Sequence, residues 1–113
     1  MSDCLFCRIA GGEIPVDLVA SDDDFVAFGD LHPLAGVHLL VVPRQHVSSL
    51  DEIEKMTPEA AGRMLRFTAA AARQAGVAQS GYRVVANNGA DAGQEIMHLH
   101  WHVIGGDRLG GMA

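Results

Sequence analysis

The run Met97-His98-Leu99-His100-Trp101-His102-Val103-Ile104 limits what this chain can become more than any other stretch does. Three of the six histidines fall at every second residue. An extended strand turns successive side chains to opposite faces. Read as one strand, the run places His98, His100 and His102 in a row and turns Leu99, Trp101 and Val103 to the other side, a core face. Packing gives no reason for that alternation, since histidine is not a favoured strand residue. Chemistry does give one: imidazole titrates nearest neutrality and serves as nucleophile, proton shuttle or metal ligand.

The remaining composition sets bounds. A chain of 113 residues, 49% hydrophobic, is sized for a single domain, 1–113, around one core. With 14 acidic against 8 basic residues the net charge is −6, which argues against nucleic acid as a partner. Any phosphate bound here must be held locally, by backbone N–H groups and neutral donors. Asp3, Arg8 and Glu13 interrupt the first fifteen residues, so no secretory signal is read there. The apolar runs are too short to span a bilayer. The expectation is a cytoplasmic protein without membrane partners.

Local signals suggest an order of elements. Residues 4–10 read as a short helix stopped by Gly11-Gly12, and 17–21 and 24–29 as two strands joined by an acidic turn. That turn is read as a solvated hairpin tip rather than a cation site. Leu31 to Gly36 is a loop, with His32 as a solvated residue of it. Val37 to Pro43 is almost wholly apolar and reads as a central strand; its one polar residue, His38, needs a hydrogen-bonding partner there. Thr57 caps a long helix with Pro58 in its first turn and Gly76 past its end. Ala61, Met64, Leu65, Thr68, Ala71, Ala72 and Ala75 form its expected inner face. Residues 82–87 make a fourth strand. Strands gathered around one long helix, with hairpin-length loops, predict an α+β fold with an antiparallel sheet.

Two further motifs carry chemistry. The loop from Asn87 to Gln94 offers glycines that admit an anion to backbone N–H groups, and Asn87 and Gln94 as neutral donors. Cys4-Leu5-Phe6-Cys7 is half of a common zinc pattern; two unligated thiols or a redox pair would share the spacing. The redox reading wants a preceding strand and a parallel βαβ setting, which this sequence does not offer, and a disulfide does not suit a cytoplasmic chain.

Gly93-Gln94 followed by His98-Leu99-His100-Trp101-His102-Val103-Ile104 resembles the signature of the histidine triad (HIT) family. The resemblance extends through Phe6, Ile9, Glu13-Ile14-Pro15, Phe28-Gly29-Asp30-Leu31 and His38 to His46. Gly105-Gly106 and the tail Arg108 to Met112 look more like the Hint branch than the Fhit branch. The resemblance implies a five-stranded antiparallel sheet with two helices, paired into a ten-stranded sheet in a homodimer. It also implies hydrolysis of nucleotides substituted on the α-phosphate, purine nucleoside 5′-phosphoramidates above all, through a nucleotidyl-histidine intermediate.

Carried onto this sequence, the resemblance makes His100 the nucleophile, with His102 at the phosphate and bridging atom and His38 behind them. Asn87, Gly93 and Gln94 would line the phosphate side, with Glu95 near the leaving group and Ile96 also at the nucleotide. Asp30 would take the ribose hydroxyls, and Phe6, Ile9, Ile14, Phe28 and Leu31 would enclose the base. Glu95 departs from the serine or threonine of Hint enzymes; a carboxylate beside a phosphate repels it unless it points away or is protonated. Some bacterial HIT proteins, and the related galactose-1-phosphate uridylyltransferases, pair such a CxxC with two histidines. By that likeness Cys4, Cys7, His46 and His98 would hold one structural zinc per chain, and the chemistry itself needs no cofactor. In that case His98 turns out of line and the strand begins after it. The tail from Asp107 would lie over the partner subunit, with Leu109 or Met112 shaping its leaving-group pocket. Two other readings compete: a hydrolase in which His98, His100 and His102 ligate a catalytic metal, and a nucleotide-binding module with little turnover.

Overall fold

The computed structural model describes residues 3–111. The chain forms α1 (Leu5–Ala10), β1 (Leu18–Ser21), β2 (Phe25–Gly29), β3 (Val37–Pro43), α2 (Pro58–Gln74), β4 (Tyr82–Val85) and β5 (Trp101–Gly105). Short 3-10 turns at Leu50–Lys55 and Ala90–Ala92 complete it. All strand pairs are antiparallel, in the order β1-β2-β3-β5-β4. The α+β class with one five-stranded antiparallel sheet and two helices is therefore as the sequence predicts. No helix among the described residues is long and apolar enough to cross a membrane.

The sheet has two unequal faces. Phe25, Ala27, Leu39, Val41, Trp101 and Val103 project to one side, where α2 covers them with Met64, Phe67, Ala71 and Ala72. Val26, Phe28, Leu40 and Val42 project to the other, where α1 supplies Phe6, Ile9 and Ala10. The short helix covers only part of this second face. The uncovered remainder is where the histidines come to lie.

Local chemistry explains the boundaries. Thr57 accepts a hydrogen bond from the Ala60 N–H at 3.1 Å and so caps α2, with Pro58 in the first turn. Gly76 leaves the helix end at φ 83°, a left-handed conformation that a side chain would oppose. Asp22 accepts from the N–H groups of Asp24 and Phe25, both at 2.8 Å, closing the turn between β1 and β2. Arg44, just past β3, donates to the carbonyls of Asp22 at 3.0 Å and of Ala10, tying that turn to the end of α1.

Three expectations need correction. On α2, Phe67 is buried against Phe25, with ring centroids 5.6 Å apart, while Leu65 is 63% exposed. Both residues flank the seam made by Met64, Thr68 and Ala71, and the sheet sits on the Phe67 side. The fourth strand ends at Val85 rather than residue 87. The histidine run is only half a strand: regular pairing begins at Trp101, opposite Val41. The tail start is tied to its own chain, for Asp107 accepts from the Gly36 N–H at 2.7 Å and Arg83 donates to the Gly110 carbonyl at 2.8 Å. Met112 lies outside the described residues.

One buried polar pair joins the layers. The Trp101 indole donates to Thr68 Oγ1 at 2.6 Å, and that hydroxyl donates to the Met64 carbonyl at 2.8 Å. Thr68→Val keeps the shape but strands a buried indole N–H. It should cost about 1–3 kcal/mol, read as a lowered urea midpoint with unchanged slope, whereas Thr68→Ser should cost less. Equal stabilities for Thr68→Val and wild type would contradict this account.

Candidate active site

β3 and β5 pair at the middle of the sheet with Leu40 opposite His102 and His38 opposite Ile104. Side chains at these even positions share the face away from α2. His38 is 5% exposed, and its partners define its tautomer. The Leu34 N–H donates to its Nδ1 at 3.0 Å, so the neutral ring carries its proton on Nε2. That Nε2–H donates to His102 Nδ1 at 2.8 Å. His102 in turn carries its proton on Nε2 as a donor. The partner that a histidine in this strand requires is thus a second histidine.

His100 is fixed differently. Its Nδ1 lies 2.7 Å from the His98 carbonyl oxygen. A carbonyl can only accept, so Nδ1 bears the proton and Nε2 keeps its lone pair. The ring is held edge-on by Phe6 at 5.0 Å between centroids, with His102 at 5.3 Å. His100 thus keeps a lone-pair nitrogen and His102 an N–H donor, on rings whose centroids are 5.3 Å apart.

Asp30 completes the group. One carboxylate oxygen accepts from the His32 N–H at 2.8 Å; the other lies 3.4 Å from His38 Nε2 and 3.9 Å from His102 Nδ1. Sequence reasoning assigned Asp30 to a ribose and missed this contact, which joins positions too far apart in the chain for any local signal. Burial holds the His102 pKa below its usual value, with the neighbouring His100 and His38 adding to the shift and Asp30 opposing it. Burial also lowers His98, reinforced by His46 and His100 and opposed by the Pro43 hydrogen bond.

These rings border a cavity of about 450 Å³. Phe6, Ile9, Ile14 and Phe28 form an apolar part of its wall, and Asp30, Asn87, Gly93, Glu95 and Ile96 lie on it with His100 and His102. The sequence missed Leu5, Val16, Leu40 and His32, which also line it. Leu31 is 91% exposed, so it stands at the rim rather than enclosing anything. Gln94 lines the cavity but its amide is committed. Its Oε1 accepts from the Gly89 N–H at 2.9 Å, and Nε2 donates to the carbonyls of Ser48 at 2.7 Å and Ile96 at 3.0 Å. It shapes the loop instead of serving as the expected donor. Gly93, at φ 79°, supplies the left-handed turn that brings this loop back to the cavity.

His98 does not join the row. It is fully buried, and its Nε2–H donates to the Pro43 carbonyl at 2.7 Å. Its Nδ1 faces Cys4 Sγ at 3.2 Å, Cys7 Sγ at 3.4 Å and His46 Nδ1 at 3.2 Å. Cys7 Sγ lies 3.3 Å from His46 Nδ1. All four ligand atoms fall within 4.8 Å of one another, a group that could hold a metal ion. Tetrahedral zinc would space such atoms about 3.3–3.7 Å apart, so the residues fit that ion with little movement. Among the described residues, the other possible metal group is Asp30, His38 and His102. The triad itself does not converge on one point: His98 belongs to the first group, His102 to the second and His100 to neither. The reading of His98, His100 and His102 as joint ligands of a catalytic metal is thereby overturned.

Comparison with known proteins agrees with this geometry. The HIT domain model matches residues 11–109. The purine nucleoside phosphoramidase of Escherichia coli K12 is 37% identical over 110 residues, 97% of this chain and 92% of its own. A histidine triad protein from Clostridium difficile superposes with a TM-score of 0.93 at 41% identity, covering 100% of this chain and 98% of that one. A HIT family hydrolase from Legionella pneumophila gives a TM-score of 0.89 at 37% identity, covering 94% and 95%.

The shift at His102 has a testable sign. Its folded pKa lies below the ordinary histidine value of 6.5. The unfolded chain therefore binds that proton first, and the stability linked to this group is lost as pH falls below 6.5 toward the folded value. An NMR titration of the His102 ring should give a midpoint below 6.5, and Asp30→Asn should lower it further. A midpoint above 6.5 would contradict the assignment of burial as the dominant cause.

Proposed function

The chain belongs to the HIT domain family, and from that premise we propose that it hydrolyses nucleotides at a substituted α-phosphate, purine nucleoside 5′-phosphoramidates in particular, with release of AMP. The observation that carries the reading is the pair of nitrogens at the cavity wall: His100 Nε2 with its lone pair, and the His102 Nε2–H donor beside it. The phosphoramidase activity named for the E. coli relative supports the choice of substrate.

In this reading the His100 lone pair forms a bond to the α-phosphorus as the bond from phosphorus to the leaving amine breaks. The His102 Nε2–H hydrogen-bonds the departing nitrogen, and a proton from solvent completes the neutral amine. The adenylylated imidazole is cationic, and its Nδ1–H rests on the His98 carbonyl. Water then bonds to phosphorus and releases a proton to solvent while the N–P bond breaks, restoring the His100 lone pair. Splitting one displacement into two suits a nucleophile that is also a good leaving group. Phe6, Ile9, Ile14 and Phe28 take the base, Asp30 the ribose hydroxyls, and Asn87 and Gly93 the phosphate side, with Glu95 and Ile96 near the leaving group. His100→Ala should lose at least a thousandfold in kcat while still binding AMP by calorimetry. Turnover within tenfold of wild type would assign the nucleophile elsewhere.

Zinc is the ion proposed for Cys4, Cys7, His46 and His98, where it supplies a closed structural tie rather than chemistry. Elemental analysis of reduced protein should find one zinc per chain. Cys4→Ser/Cys7→Ser should lose the metal and several degrees of Tm. Wild-type protein without metal would sink this assignment.

A homodimer in a cytoplasmic setting is the proposed form. β4 is an edge strand, and Tyr82 and Val84 on its α2 side are 36% and 45% exposed, as Leu65 on α2 is at 63%. An unpaired edge flanked by apolar side chains suits a two-fold copy, which would extend the sheet to ten strands. Sedimentation at micromolar concentration should show a dimer, and Val84→Pro should shift it toward monomer; a wild-type monomer would rule out the pairing.

A further inference from the structure

The cysteine–histidine cluster and the nucleophile meet at two points. The first is His98. Its side chain is pinned at both nitrogens, by the Pro43 carbonyl at 2.7 Å and by the cluster, where Cys4 Sγ lies at 3.2 Å. The same residue's carbonyl accepts the His100 Nδ1–H at 2.7 Å. Whatever fixes the His98 ring therefore fixes the acceptor that selects the His100 tautomer. The second point is Phe6. It sits between the two cysteines in α1, whose first turn is capped by Cys4 Sγ accepting from the Cys7 N–H at 3.4 Å. Its ring meets His100 edge-on at 5.0 Å and Phe28 at 5.7 Å. α1 spans six residues, too few to hold its own shape in water, so its placement depends on what anchors it.

We infer that Cys4, Cys7, His46 and His98 position the nucleophile: once joined by a metal ion, they lock the His98 carbonyl and the Phe6 ring, the two surfaces between which His100 is held with Nε2 toward the cavity. The cluster is then more than a staple for the N-terminus. Emptying it frees the His98 peptide and the Phe6 ring together, and His100 samples orientations and tautomers in which Nε2 is not the lone-pair nitrogen facing the cavity. This inference rests on the reading of His100 as the nucleophile, but its geometric content can be read without turnover.

The test uses the full chain, purified with its metal, then stripped by a chelator and reloaded with Zn²⁺ alone. Long-range ¹H–¹⁵N spectra of the imidazoles report which nitrogen of His100 carries the proton, and nuclear Overhauser effects report the Phe6–His100 contact. The loaded protein should show a single Nδ1–H tautomer and the ring contact. The stripped protein should show an averaged His100 signal, a weakened contact and at least a tenfold slower single-turnover adenylylation, all restored by Zn²⁺. Should stripping unfold the chain, His46→Ala replaces it, because His46 is the exposed member of the cluster and its loss leaves the core intact. A folded, metal-depleted protein by either route, with His100 tautomer and Phe6 contact unchanged, would overturn the inference. Loss of the tautomer with no adenylylation even in the loaded protein would uphold the positioning and remove the proposed activity instead.

Discussion

The hydrogen bond from His100 Nδ1 to the His98 carbonyl is the constraint around which the site is built. A neutral imidazole has one proton and two places to put it. By offering an acceptor to Nδ1, the backbone leaves the lone pair on Nε2. The bond also requires a chain turned away from regular strand geometry at residues 98–100, which is why β5 starts only at Trp101. That departure sends the His98 ring toward the cysteines while His100 stays with His102. A continuous strand would have put all three rings in one row and left no carbonyl free for the purpose.

The second constraint is electrostatic. The chain carries a net charge of −6, and the cavity wall, among the described residues, includes Asp30 and Glu95 but no Lys or Arg. A phosphate in this cavity is therefore held by hydrogen-bond donors rather than by a guanidinium or ammonium. Donors aimed at developing charge in a partly dry site are effective without a net positive field. The histidine pair fits this scheme. Leu34 donates to His38, His38 donates to His102, and His102 presents its remaining N–H. Burial keeps His102 from becoming a cation near neutral pH, which preserves the direction of that relay.

Much of this was legible in the sequence because the signals are local and physical. The apolar run from Val37 to Pro43 is β3 to the residue, and Thr57-Pro58 and Gly76 mark the ends of α2. Leu99, Trp101 and Val103 do face the core, even though the first of them precedes the strand. What was not legible depends on partners far away in the chain. Whether Leu65 or Phe67 is buried depends on which flank of α2 meets the sheet. Whether Gln94 is a donor to a ligand depends on the Ser48 carbonyl, which takes its amide first. The Asp30 contact with His38 and His102 exists only because β2, β3 and β5 are neighbours. The likeness to a known family placed the cavity residues together, but not the roles of those whose polar atoms the fold itself consumes.

The central claim is that His100 Nε2 becomes bonded to the substrate's phosphorus. It is tested most directly by quenching the protein in acid-free denaturant during turnover of adenosine 5′-phosphoramidate and measuring its intact mass. The account predicts a mass gain of one adenylyl group, mapped by fragmentation to His100 and absent from His100→Ala. An adduct on another residue, or AMP production with no adduct at any time after mixing, would contradict it.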